Sequence, residues 1–141
     1  MLNGCRQQGF TLVEVLIAFL VMAIGLLGLA GLQVTGLRND QSAFSRSQAV
    51  LLAYDILDGL RANRPAARDG FYNLALDAGA PEGDTPADRD LNRWITELER
   101  RLPAGDGAVN VAAGDRVTII VQWDDSRGAE DAQQFVVETQ L

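Results

Sequence analysis

The chain changes character twice along its length. Met1 to Gly9 is short and polar, with Arg6 as its one charge. An apolar run opens at Phe10, and Val15 to Leu32 passes without a charged or strongly polar side chain. As a helix, residues 10–32 rise roughly 34 Å at about 1.5 Å per residue, enough to cross a bilayer core. Past Arg38 the apolar positions thin out. Phe44, Leu51, Leu52, Ile56 and Leu60 recur at mostly helical spacing among Ser, Gln, Asp and Arg. The pattern predicts one helix from Phe10 to Asn63. Its second half buries a face that includes Leu52, Ile56 and Leu60 against a globular head. Pro65 ends it, because the residue before a proline is pushed out of helical geometry.

The remaining pattern is mixed. Ala66 to Ala87 is rich in Ala, Gly, Asp and Pro and reads as a surface connection pinned by Phe71, Tyr72 and Leu74. Asp88 is the expected cap of a helix running to Arg101, with Leu91, Trp94, Ile95, Leu98 and Leu102 inward and Pro103 as its stop. Three strands are expected after it, at Ala108–Ala112, Arg116–Trp123 and Gln134–Thr139. In the second, Val117, Ile119, Val121 and Trp123 alternate with Thr118, Ile120 and Gln122. Gly114-Asp115 and the stretch from Asp124 to Asp131 supply the turns. These elements predict an α+β fold: a long N-terminal helix, transmembrane in one half and amphipathic in the other, packed on a small three-stranded antiparallel sheet.

Charge narrows the function. The net charge is −7, from 12 basic and 19 acidic residues, and every basic residue is Arg. A nucleic-acid partner needs a concentrated basic surface, so none is expected. Cys5 is the one cysteine and there is no histidine. That excludes an internal disulfide, a zinc site of the usual Cys/His type and the Ser-His-Asp and Cys-His catalytic sets. No catalytic residue and no cofactor are assigned. Leu2-Asn3-Gly4-Cys5 loosely resembles the tail of a lipoprotein signal, but such a signal places its apolar stretch before the cysteine. Asp124, Asp125, Glu130 and Asp131 offer oxygen ligands of the kind that bind Ca²⁺. Their spacing is not that of an EF-hand, and Asp serves turns by bonding local amides, so no metal site is assigned.

Glu14 is the informative residue. A plain signal anchor explains the apolar run and places Arg6 on the cytoplasmic side, yet leaves this carboxylate unexplained. A charge at the edge of an apolar helix costs a few kcal/mol and marks a function or a partner. A cut between Gly9 and Phe10 would free an α-amine four positions earlier. On a helix those positions are neighbours, so amine and carboxylate can pair within one subunit, or between subunits packed side by side. Gly25, Gly28, Gly31 and Gly36 punctuate the run. They allow either close helix packing or local unwinding, and the sequence does not separate the two.

Gly9-Phe10-Thr11-Leu12-Val13-Glu14, followed directly by the apolar run, resembles the processing motif of type IV pilins and type II secretion pseudopilins. The resemblance implies a prepilin peptidase that cleaves after Gly9 and N-methylates Phe10, and a Glu14 that registers the subunit in a growing filament. The mature chain would lose Cys5 with the leader. The implied domains are a leader at 1–9, a transmembrane and filament-core helix half at 10–37, and a periplasmic head at 38–141. Ala23 to Gln33, Ser47 to Leu57, Arg61-Ala62-Asn63 and Val117 to Arg127 resemble the PilV-type minor pilins. A minor pilin in type IV pilus assembly is the function so implied. Its partners would be the peptidase, the other minor pilins, the major pilin and the inner-membrane assembly platform. Its place would be the bacterial inner membrane, single-pass, and then the pilus. The alternatives are an I-type minor pseudopilin of type II secretion and an independent anchored domain that binds a periplasmic partner.

Overall fold

Without a proline to interrupt it, Leu12–Ala62 forms one helix of 51 residues, α1. The computed structural model describes residues 11–126 and 128–141; Gly9 and Phe10, where the expected helix begins, lie outside them. The described residues fall into two units that divide between Asp40 and Gln41. In the first, the apolar side chains of α1 are exposed on every side, Leu16, Phe19 and Ile24 each by more than half. A helix apolar all round has no stable face toward water; it belongs in lipid or against other protein.

The second unit holds the rest of α1, then α2 (Arg64–Arg68), α3 (Pro86–Arg101), β1 (Asp106–Ala112), β2 (Arg116–Trp123) and β3 (Gln133–Gln140). Here α1 is one-sided. Ser45, Ala49, Leu52, Ala53, Ile56, Leu57 and Leu60 are buried at intervals of three and four residues. Leu52, Ile56 and Leu60 are therefore core, as expected. Phe44 and Leu51 sit one residue out of phase with that stripe and point to solvent, about 60% exposed.

The helix ends at Ala62, near where Pro65 demanded, but the proline also starts something. It lies in the first turn of α2, where its missing N–H costs nothing because that donor has no partner in any helix. The expected featureless connection thus begins with a helical turn. Of its three expected anchors, Tyr72 is fully buried and Leu74 exchanges both main-chain hydrogen bonds with Val109 of β1, whereas Phe71 is exposed. The cap of α3 also differs from expectation. Thr85 is the cap, its Oγ1 accepting from the Asp88 amide at 3.1 Å, and Asp88 returns the bond by accepting from the Thr85 amide at 3.1 Å. Asp88 is the third helical residue of a reciprocal box, and Pro86 sits in the first turn.

The three strands form an antiparallel meander in the order β1-β2-β3. Val117, Ile119, Val121 and Trp123 are buried on its inner face, as their alternation predicted, and β1 and β3 each extend slightly beyond the expected bounds. Arg68 reaches the β1–β2 turn, its guanidinium making paired hydrogen bonds of 2.9 and 2.5 Å to Asp115. Those hydrogen bonds hold the Asp115 carboxyl below the usual carboxylate range.

Trp94 ties the layers together. Its indole N–H donates to the Leu52 carbonyl of α1 at 2.9 Å, in the buried interior. On the other side its ring lies so close to β1 that a Cβ at Gly107 would fall 2.4 Å from Cη2. Gly107 is thus what lets α3 approach the sheet. Gly105 serves the same approach, since a Cβ there would fall 2.3 Å from the Leu98 carbonyl oxygen. The core is one cluster drawn from α1, α2, α3 and the inner face of the sheet.

Two stability predictions follow from this packing. Gly107→Ala forces Trp94 or β1 to move and is expected to destabilise the chain by about 1–3 kcal/mol, read as a lower urea midpoint. Tyr72 is held by burial, and by its 2.7 Å hydrogen bond to Asp90, at a pKa pushed up to about 12. The folded state therefore keeps the phenol proton more tightly than the unfolded chain, whose tyrosines ionise near pH 10. This contribution is complete below pH 10 and is lost as pH rises toward 12. Thermal melts should show that decline in the native chain, and Tyr72→Phe should flatten it.

Candidate functional site

Thr11 is the first described residue, and it acts as the N-cap of α1. Its carbonyl accepts from the amides of Glu14 and Val15 at 3.1 and 3.3 Å, and its Oγ1 also accepts from the Glu14 amide at 3.3 Å. Thr11-Leu12-Val13-Glu14 therefore reads as a helix-start signal, a capping threonine with a glutamate three residues on, directly before an apolar run. The signal is local to the sequence and independent of the charge on Glu14. The position suits an anion, since the N-terminal turn of a helix carries partial positive charge.

Glu14 lines a shallow groove of about 460 Å³ with Val15, Ala18, Phe19 and Met22. Glu14 is the one carboxylate among these lining residues, and the other four are apolar. Gly9 and Phe10 lie outside the described residues, so the relation of Phe10 to Glu14 rests on their four-residue spacing in the sequence. Gly25, Gly28 and Gly31 are part of the continuous α1, and a Cβ added at any of them would meet no atom within 4 Å. No contact among the described residues calls for glycine at these positions.

The acidic turn after β2 is held together by its own main chain. The Asp124 carboxylate accepts from the Ser126 amide at 2.8 Å, the Ser126 hydroxyl at 2.6 Å and the Gly128 amide at 2.6 Å. Ser126 Oγ accepts in turn from the amides of Ala129 and Glu130. Asp125 Oδ2 accepts from the Trp123 indole N–H at 3.0 Å, and Asp125 Oδ1 is buried without a partner among the described residues. Glu130 and Asp131 are exposed. Among the described residues no group of three or more His, Cys, Asp and Glu side chains is placed to hold a metal ion. What this arrangement does chemically is shape a turn.

One stretch of α1 is long and apolar enough to cross a membrane, at a mean hydropathy of 2.7 with none of it buried inside the chain. Comparison with known proteins bears on the same end of the molecule. No curated protein and no solved structure matches the chain. Residues 4–30 match the family model described as the prokaryotic N-terminal methylation motif. That span covers Gly9, Phe10, Thr11 and Glu14 and most of the apolar run. Joined to a long N-terminal helix and a small three-stranded antiparallel sheet, the motif supports the class of type IV pilins and pseudopilins.

Proposed function

We propose that the chain is a minor pilin of the PilV type, a structural subunit in type IV pilus assembly. In this reading a prepilin peptidase cuts after Gly9 and methylates the new amine of Phe10. Residues 10–37 remain in the inner membrane until the subunit enters the filament core, and residues 38–141 form a periplasmic head. The partners are then the assembly platform, the other minor pilins and the major pilin. The same motif begins the pseudopilins of type II secretion, which leaves an I-type minor pseudopilin as the nearest competing role.

The observation that carries the proposal is Glu14. An apolar surface exposed on all sides needs an apolar environment, and a lone carboxylate within it costs a few kcal/mol there. An α-amine at Phe10, four positions earlier in the sequence, offsets that cost, within one subunit or across to its neighbour. Cleavage therefore does more than remove a leader: it creates the counter-charge. Gly25, Gly28 and Gly31 fit the same environment. With nothing among the described residues against them, the surfaces they would let approach belong to neighbouring helices.

Glu14→Ala is expected to leave cleavage largely intact and to lower the amount of subunit in sheared filaments at least several-fold. The measurement is an immunoblot of filament and membrane fractions from cells expressing the variant. Incorporation at the wild-type level would show that Glu14 does not register the subunit.

A further inference from the structure

The two edges of the sheet are treated differently. On the β1 side, Leu74 exchanges main-chain hydrogen bonds of 2.8 and 2.9 Å with Val109, and Asn73 Oδ1 accepts from the Val111 amide at 2.7 Å. That edge is closed. The β3 edge has no such cover among the described residues.

The register shows which groups lie along it. Val109 turns its amide and carbonyl toward Leu74, so it faces away from β2. In an antiparallel ladder bonded and non-bonded pairs alternate. Ala108 and Asn110 therefore bond to Ile120 and Thr118. This leaves Val117, Ile119, Val121 and Trp123 to bond with Thr139, Val137, Phe135 and Gln133 of β3. The main-chain groups of Gln134, Val136, Glu138 and Gln140 then point to the open edge. Nothing along β3 blunts it. The strand has no proline and no lysine, its pairing with β2 is unbroken over eight residues, and Glu138 is its one charge.

A second observation concerns the inner face. Val117, Ile119 and Val121 of β2 are fully buried, whereas Phe135 and Val137 beside them are only partly covered. The third strand thus lacks a ladder partner and also lacks cover for its apolar side chains. A fourth strand would supply both.

We propose that this fourth strand is β3 of a second copy of the chain, paired antiparallel about Val136 to give a continuous six-stranded sheet. The strand is complementary to itself in that register. Phe135 falls opposite the Val137 of the other copy, so each partly covered side chain covers its counterpart. Gln134 falls opposite Glu138; it donates one N–H to Gln122 at 2.7 Å and has a second to offer a carboxylate. Pairing about Glu138 would instead set two carboxylates face to face, which disfavours that slip. The chain's net charge of −7 opposes association in general, but only one of those charges lies on the pairing strand. The contact is isologous, as a two-fold dimer requires. A single strand pair is a small interface, so association is weak.

The test uses the full chain in detergent, by sedimentation across about 1 to about 200 µM, a range that brackets a weak interface. The protein mass per particle should double over that range. Val136→Pro removes an N–H that points to the open edge and none that β2 uses, so it should remain monomeric at every concentration. Val136→Lys should do the same and decides the matter if the proline variant does not fold. Amide exchange on the wild-type chain needs no variant: Val136 and Glu138 should slow as concentration rises, while Val137 is protected throughout. A wild-type chain that stays monomeric overturns the proposal. So do folded variants that dimerise like wild type, and so do Val136 and Glu138 amides whose exchange ignores concentration.

Discussion

Everything in this chain follows from asking one unbroken helix to serve two surroundings. From Val15 to Leu32 α1 has no polar face, so water is the wrong solvent for it. In its second unit the same helix carries a stripe of buried positions and polar residues opposite. No proline or cap separates the two regimes; only the side-chain pattern changes. A carboxylate placed in the first regime is then costly in a way that one in the second is not. Glu14 is placed there, at the third position of the helix, where the backbone itself favours an anion.

The head is organised by a second, smaller constraint: three layers must meet around one bulky ring. Trp94 satisfies its own donor on the Leu52 carbonyl, which fixes the height of α3 along α1. Gly107 removes the side chain that would keep β1 away. Tyr72 and Asp90 add a partly buried hydrogen bond between the connection after α2 and α3. The sheet is thereby held from the β1 side, and β3 is left as the strand with the least support.

Local signals in the sequence carried much of this arrangement, and contacts between distant residues carried the rest. The alternation in Arg116–Trp123 and the helical repeat through Leu52, Ile56 and Leu60 needed only neighbours to be read. Phe44 and Leu51 were apolar at nearly the right spacing, yet a one-residue phase error is 100° on a helix and turns a side chain to solvent. Asp88 has the chemistry of a cap, but Thr85 three residues earlier, followed by Pro86, is the stronger start signal, with Asp88 as the reciprocating third residue. Pro65 lies just past the end of α1 and in the first turn of α2, and a lone proline signals the end more plainly than the beginning. The motif from Gly9 to Glu14 is linear and so legible, and the capping role of Thr11 lies inside it. The fit of Trp94 against Gly107 joins α3 to β1 through space, and no periodicity announces it.

The account stands or falls on the N-terminus. Its central claim is that Phe10 becomes a free, methylated amine beside Glu14. The direct measurement is the intact mass and N-terminal sequence of the chain recovered from the membranes and filaments of wild-type cells. The expected chain begins at Phe10, lacks Met1 to Gly9 and carries one added methyl group. A chain that retains Met1 to Gly9 in both fractions would contradict it.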